Sequence, residues 1–274
     1  MNEKEFFENV KSYKFIANKS LGQNFLVNPE TAKDIVSLLD IQKDDSILEI
    51  GAGIGSLSYY LAQSESKEVT LIDVDERMIS ILNEQFSKNP NVKVERLNIL
   101  KADVSKYTKI VGNLPYYITS GILEYVLLNA VNAKKLVFMT QKEVYQKLTD
   151  KKEISPLILL MRYVSTISNA KNVNKNNFTP VPHVDSSYFS LTPNENIKNK
   201  DNKLLYKLMV KIFIHKRKTI LNCLGTTISD KEKAASILKE MNVSENLRPE
   251  QLDINFYINL LNMLKSNDFI TKIM

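Results

Sequence analysis

A doubly wound α/β domain followed by a small all-helical domain is the fold class this sequence predicts, on three observations. Short apolar runs of strand length alternate with helix-spaced segments from residue 46 to residue 139. A glycine-rich turn follows the first of those runs directly. From residue 202 onward every segment carries helical periodicity. Strand–helix alternation argues for a parallel sheet with helices on both faces.

The elements follow in order. Asn28 before Pro29 and Glu30 suits a helix cap whose first turn tolerates proline, ahead of Ile35, Val36, Leu38 and Leu39. SILEI (46–50), EVTLI (68–72), VKVERL (92–97), KIVG (109–112) and KLVFM (135–139) read as buried strands. Helix-spaced apolar residues occupy 55–63, 76–87 and 118–130. The pattern breaks at 171–182, a polar, proline-punctuated stretch, and SYFSL (187–191) reads as a last edge strand. The hydrophilic linker TPNENIKNKDN then separates a domain over 1–192 from a second over 198–274. Helices are expected there over roughly 202–224, 230–241 and 250–265. Leu205, Leu208 and Ile212 can face a core, while Lys203, Lys207 and Lys211 fall four apart on one face.

Composition narrows the class. Of 274 residues, 43% are apolar and 25% charged, as in ordinary soluble domains. No apolar run reaches the ~18–20 residues of a membrane span. The N-terminal MNEKEFFENVKSYKF lacks a secretory apolar core. Cys223 is the one cysteine, which excludes an internal disulfide and points to a cytoplasmic protein. Residues 1–197 hold 23 basic and 23 acidic side chains, and residues 198–274 hold 14 and 8, so the net +6 (14 − 8) resides entirely in the last quarter. A neutral body with a basic tail domain suits a polyanionic partner, and equally a solvated lysine face.

The glycine turn reads Glu49-Ile50-Gly51-Ala52-Gly53-Ile54-Gly55. Gly51 and Gly53 allow a sharp turn and close approach of a ligand, at the strand end where open α/β sheets bind ligands. Ser56 stands where a dinucleotide fingerprint has its third glycine, and no Gly-Lys-Ser/Thr of a P-loop follows. Asp73 closes the second strand 22 residues after Gly51 (73 − 51), positioned to accept hydrogen bonds from ribose hydroxyls. The pair indicates an adenosine-type ligand.

After the fourth strand comes Gly112-Asn113-Leu114-Pro115-Tyr116-Tyr117. An adenine amine is a poor nucleophile because its lone pair is delocalised into the ring. Two acceptors that bind its hydrogens can draw the nitrogen toward tetrahedral geometry. Asn113 Oδ1 and the Leu114 carbonyl offer them, Pro115 fixes the backbone between, and Tyr116 can stack on an extruded base. A methyl sulfonium donor is already electrophilic, so such a site works by positioning and electrostatics and requires no strong general base. The plainer reading is a proline turn with tyrosines packed in the core.

Together these motifs resemble the small-subunit ribosomal RNA adenine dimethyltransferases of the KsgA type. The resemblance runs nearly end to end. It includes Lys19-Ser20-Leu21-Gly22-Gln23-Asn24-Phe25-Leu26, the glycine turn, Asn113 to Tyr116, Gln141-Lys142-Glu143-Val144 and Phe178 to Ser186. It continues through Lys216-Arg217-Lys218-Thr219-Ile220 and Arg248-Pro249-Glu250-Gln251-Leu252. The resemblance implies a Rossmann-like class I methyltransferase domain with S-adenosyl-L-methionine as cofactor. Asn24 and Leu26 would line the methionine end, Gly51 and Gly53 would let the loop approach, and Asp73 would bind the ribose. Asn98, with Ile99 beside it, falls where the family usually has an aspartate near the cofactor adenine. Phe178 would face Tyr116 as a second stacking ring. His183 replaces a usual lysine, and the 150–158 segment is shorter than the family's. The reaction would dimethylate N6 of two adjacent adenines near the 3′ end of small-subunit (16S) ribosomal RNA, within an assembling 30S particle. Lys203, Lys207, Lys211, Lys216, Arg217 and Lys218 would dock on RNA. No metal is expected, since His183 and His215 show no ligand or triad spacing, and a monomer is expected, since nothing in the sequence suggests an obligate dimer.

Two alternatives stay open. An Erm-type enzyme acting on large-subunit RNA shares the glycine turn and an Asn-x-Pro-Tyr element, although Leu114 and the two C-terminal motifs favour the small-subunit family; a DNA adenine methyltransferase usually has two prolines in the turn. A non-catalytic assembly factor would bind immature subunits through the basic domain, against which intact Asn113, Tyr116 and Phe178 speak.

Overall fold

A computed structural model describes residues 2–12, 17–18, 22–267, 269 and 271. Lys19, Ser20 and Leu21 of the N-terminal motif lie outside the described residues. The strands in chain order are β1 (Phe25–Leu26), β2 (Ser46–Ile50), β3 (Glu68–Asp73), β4 (Val92–Arg96), β5 (Lys109–Asn113), β6 (Lys135–Gln141), β7 (Ser165–Val173), β8 (Phe178–Thr179) and β9 (Ser186–Pro193). The α-helices are α1 (Glu3–Ser12), α2 (Pro29–Ser37), α3 (Ser58–Leu61), α4 (Glu76–Phe86), α5 (Thr119–Asn129), α6 (Lys142–Thr149), α7 (Pro156–Val164), α8 (Asn202–Phe213), α9 (Ile220–Ile228), α10 (Lys231–Glu240) and α11 (Ile254–Ser266).

Seven strands form one sheet in the order β4-β3-β2-β5-β6-β9-β7. The five runs read as strands from their apolar character, β2 to β6, pair in parallel. Strand order reverses between β2 and β5, which creates a switch point at the carboxyl ends of those two strands. In β2 all five residues are buried, as a strand covered on both faces requires. Asn28 caps α2, its Oδ1 accepting from Thr31 N at 2.8 Å with Pro29 in the first turn, and Asp75 caps α4 through Arg77 N at 3.1 Å.

Three sequence expectations need correction in this sheet. VKVERL, read as a buried strand, gives β4 at one edge, with none of its residues fully buried. SYFSL does not form an edge: β9 lies between β6 and β7, antiparallel to both, with its first six residues buried. The edge on that side is β7, whose STISNAKNV is mostly exposed, so it has no apolar alternation to betray it. Its last residues, with β8, fall inside the stretch read as loop at 171–182.

The chain divides into two compact units, residues 1–150 with 165–194, and residues 151–164 with 195–274. One division falls after Asn194, and α7, which lies inside the expected 1–192 domain, belongs to the second unit. Its PLILLMRYV buries Ile158, Leu159, Leu160, Met161 and Val164, and α8 and α11 provide the apolar cover. Within that unit the continuous helix expected over 202–224 is broken. α8 ends at Phe213 and α9 begins at Ile220, leaving Lys216, Arg217 and Lys218 exposed on the connection. Leu205, Leu208 and Ile212 are buried as expected, while Lys203 and Lys207 are exposed and Lys211 is half-buried. The Arg248–Leu252 motif forms a turn in which Gln251 Oε1 accepts from Arg248 N at 2.8 Å, and the buried Tyr257 hydroxyl donates to Pro249 O at 2.7 Å.

Candidate active site

A cleft opens at the β2/β5 switch point in the first unit. Its walls are the 22–26 segment, the glycine turn after β2, the end of β3, residues 97–99 and the Asn113–Ile118 turn. Gly51 and Gly53 have φ of +66° and +57°, left-handed values that side chains rarely adopt. A Cβ on Gly53 would meet the Phe25 ring at 3.4 Å, so the turn is held against the N-terminal segment. Ser56 fastens it further, its hydroxyl donating to Leu26 O at 2.6 Å.

Asp73 closes β3 against this turn. Its Oδ2 accepts from Gly53 N and its Oδ1 from Asp75 N, each at 2.9 Å. Burial raises its pKa, and these backbone bonds partly offset the effect. Each carboxylate oxygen has further lone-pair capacity for a hydroxyl donor. Asn98 caps the 3₁₀ turn Ile99–Lys101, its Oδ1 accepting from Leu100 N at 2.9 Å. Capping is served equally by asparagine and aspartate, so this turn keeps its shape without the family's usual charge.

On the far side of the switch point, Asn113 is the last residue of β5. Its Nδ2 donates to Asn24 O at 3.1 Å, which leaves Oδ1 available as an acceptor. The Leu114 N–H donates to Met139 O at 2.9 Å and pins that peptide to β6. Pro115 follows at φ −61°, ψ 130°, and its carbonyl accepts from the Thr119 hydroxyl at 3.0 Å. Tyr116 pairs with Ser186, hydroxyl to hydroxyl, at 2.9 Å; burial holds its pKa up, and the Ser186 bond opposes that shift.

Asn24, Leu26, Gly51, Gly53, Asp73, Asn98, Ile99, Asn113, Leu114, Pro115 and Tyr116 thus converge on one cleft. Phe178 does not. Its backbone pairs with Leu26 and its ring, 2% exposed, is packed in the core outside the lining. The six basic residues belong to the second unit.

Two lining residues carry roles that the sequence reading did not assign. Gln23 Oε1 accepts from Asn18 N at 2.7 Å, and its Nε2 donates to Asp75 Oδ2 at 2.9 Å, tying the N-terminal segment to the end of β3. The Arg77 side chain and Gln23 together hold the Asp75 carboxyl at about 2. Glu49, 2% exposed on β2, receives the Ser58 hydroxyl at 2.6 Å. Burial pushes its pKa up to about 8, Ser58 opposing and Asp73 adding to the rise. Both residues stood inside quoted motifs; what marks Gln23 is a bond to Asp75, 52 positions on, and what marks Glu49 is its burial.

A cleft at the switch point of a doubly wound sheet, lined by a glycine turn and an amide acceptor, places this chain among the class I methyltransferases, whose methyl donor is S-adenosylmethionine. Residues 14–265 match the ribosomal RNA adenine dimethylase family, and the chain belongs to that family. A ribosomal RNA small subunit methyltransferase A of Mycoplasma capricolum is 39% identical over 266 residues, covering 92% of this chain and 99% of the relative. Its counterpart in Levilactobacillus brevis is 34% identical, covering 92% of each. Among solved structures, a dimethyladenosine transferase from Plasmodium falciparum is similar with a TM-score of 0.74 and 26% identity, covering 87% of this chain and 96% of that one. The 23S rRNA methyltransferase ErmE follows at 0.62 and 25%, covering 88% and 100%.

The residues present fit the methyl donor. A Cβ on Gly51 would meet nothing nearer than Asn113 O at 4.0 Å, so the turn leaves room there; Asp73 would offer a carboxylate to a ribose, and Asn98 with Ile99, in the same lining, would meet the adenine. Asn24, bonded to Asn113, and Leu26 line the same cleft and would border the methionine end. When bound, the donor supplies an electrophilic methyl group.

Proposed function

We propose that this protein dimethylates N6 of two adjacent adenines near the 3′ end of small-subunit ribosomal RNA, acting as a cytoplasmic monomer on an assembling small-subunit particle. The observation that carries the reading is the Asn113–Tyr116 turn, whose amide is oriented by Asn24 and whose Leu114 peptide is pinned by Met139. Asn113 Oδ1 and the Leu114 carbonyl accept the two amine hydrogens and localise the nitrogen lone pair. Tyr116 stacks on the extruded base, with its hydroxyl anchored to Ser186. Holding the amine and methyl in line supplies most of the acceleration, and the amine proton departs to solvent.

The second unit supplies the RNA contact. Lys216, Arg217 and Lys218 project from the α8–α9 connection, with Lys203 and Lys207 exposed on α8 and Lys211 one turn further. Relatives named for the small subunit, at 34–39% identity, support the substrate over the large-subunit alternative, whose structural representative stands at 25%.

The test is transfer of labelled methyl groups to small subunits lacking the modification, with large subunits in parallel, followed by mapping of labelled bases. Label on two adjacent small-subunit adenines is the expected result. Label confined to large-subunit RNA would move the protein to the alternative substrate, cofactor binding without label would leave a silent or differently targeted enzyme, and loss of cofactor binding as well would favour a non-catalytic assembly role.

A further inference from the structure

We propose that Glu49 is a counter-charge held neutral in the free protein, so that binding of S-adenosylmethionine drives a proton off this carboxyl while binding of the demethylated product S-adenosylhomocysteine does so less. The inference rests on the cofactor reading of the cleft and concerns how the site tells donor from product.

Glu49 is almost fully buried, lines the cleft, and sits between Leu71 of β3 and Val111 of β5 in the sheet register. Ser58 of α3 donates one hydrogen bond to it. The other titratable groups among the described lining residues are Asp73 on β3 and Tyr116 and Tyr117 on the turn after β5; lysine, arginine and histidine are absent from that lining. An ionised Glu49 therefore faces a second carboxyl and no cation. A buried charge without a partner takes a proton instead, and the raised titration of this carboxyl agrees with that geometry.

A carboxyl of this kind is matched to a ligand that brings its own positive charge. The methyl donor carries a sulfonium and an ammonium, whereas its product keeps the ammonium and has a neutral thioether. Ionisation of Glu49 is favoured most when the donor is bound. The proton passes to the buffer, and donor affinity then rises with pH until the free protein has itself lost the proton. The rise is at most about tenfold per pH unit for one proton. After transfer the sulfonium charge is gone, Glu49 takes a proton back, and the hold on the product relaxes.

The test measures affinities of the full chain and of Glu49→Gln for both ligands by titration calorimetry between about pH 6 and pH 9, in buffers of differing ionisation enthalpy so that released protons are counted. Glutamine is neutral and keeps an oxygen for Ser58. Wild-type selectivity for donor over product should rise by about tenfold or more across the range, with more protons released by the donor, and should be flat in the variant. Titration of the ligands' own amino groups is common to both proteins and cancels in the comparison. Parallel wild-type and variant profiles would overturn the proposal. Should Glu49→Gln fail to fold, Ser58→Ala serves: losing its bond moves the rise to higher pH, and an unmoved rise overturns the proposal. Failure of both ligands to bind the wild type would instead defeat the cofactor reading.

Discussion

Asn113 donates through its amide nitrogen to the backbone carbonyl of Asn24, 3.1 Å away and 89 positions earlier in the chain. That bond fixes which end of the amide can accept a hydrogen from a substrate. Amide orientation is therefore set by the N-terminal segment, which Gln23 ties to Asp75 and Ser56 ties to the glycine turn. The acceptor and the cofactor cradle are thus braced through one piece of chain.

Replacing Asn113 by Ala should separate chemistry from binding. Methyl transfer should fall by about 10²–10³-fold or more, the scale for loss of one preorganised hydrogen-bonding group at a reacting centre. Affinity for S-adenosylmethionine should change only a few-fold, because the glycine turn and Asp73 are untouched. Paired single-turnover and calorimetric measurements decide it; equal loss of both would remove Asn113 from its catalytic role.

Gly112 tests the packing beneath the site. A Cβ there would lie 2.7 Å from the Ile50 carbonyl oxygen, a backbone atom of the neighbouring strand that cannot swing away. Gly112→Ala should lower stability by about 1–3 kcal/mol through overpacking. A denaturant titration would show it as an earlier midpoint with an unchanged slope.

Phe178 poses a choice between core and site. Its ring is 2% exposed, so Phe178→Ala should cost about 3–5 kcal/mol of stability whatever its role in recognition. Phe178→Leu keeps most of the buried volume. If the ring only packs, RNA turnover of this variant should match the wild type; a raised KM for RNA with unchanged cofactor affinity would show that the segment opens and the ring meets the base.

Changing Lys216, Arg217 and Lys218 together to Ala should weaken RNA binding and flatten its dependence on salt. Each lost phosphate contact reduces the slope of log K against log salt by about 0.7–0.9. Cofactor affinity should stay constant. An unchanged salt slope would reassign these side chains to a solvated surface.

Glu49 also predicts how the free protein responds to pH. Its ordinary pKa is 4.5 and the folded value is about 8, so between those limits the folded state holds a proton that the unfolded state has released. Stability should therefore fall as pH rises from about 4.5 to 8, by at most about 1.4 kcal/mol per unit. Urea unfolding of the wild type and Glu49→Gln across that range isolates the contribution: the variant should decline less steeply, and identical slopes would show that Glu49 is already ionised.

By itself the sequence determined the parallel strands β2 to β6, the glycine turn, Asp73 and the Asn113–Tyr116 element. Their signals are local: an apolar run, a φ that only glycine takes readily, a proline that sets one carbonyl. Tertiary structure decided what local patterns do not encode. The polar STISNAKNV became an edge strand because β9 offered it hydrogen bonds, and β9 became internal for the same reason. The apolar α7 left the first domain because its buried face needed the C-terminal helices. Phe178 entered the core through pairing with Leu26, far away in sequence. Glu49 was visible as a letter in a motif, but its raised pKa comes first from burial and then from Asp73, with no cation among the described lining residues to oppose it, and those surroundings are fixed only when the chain closes around it.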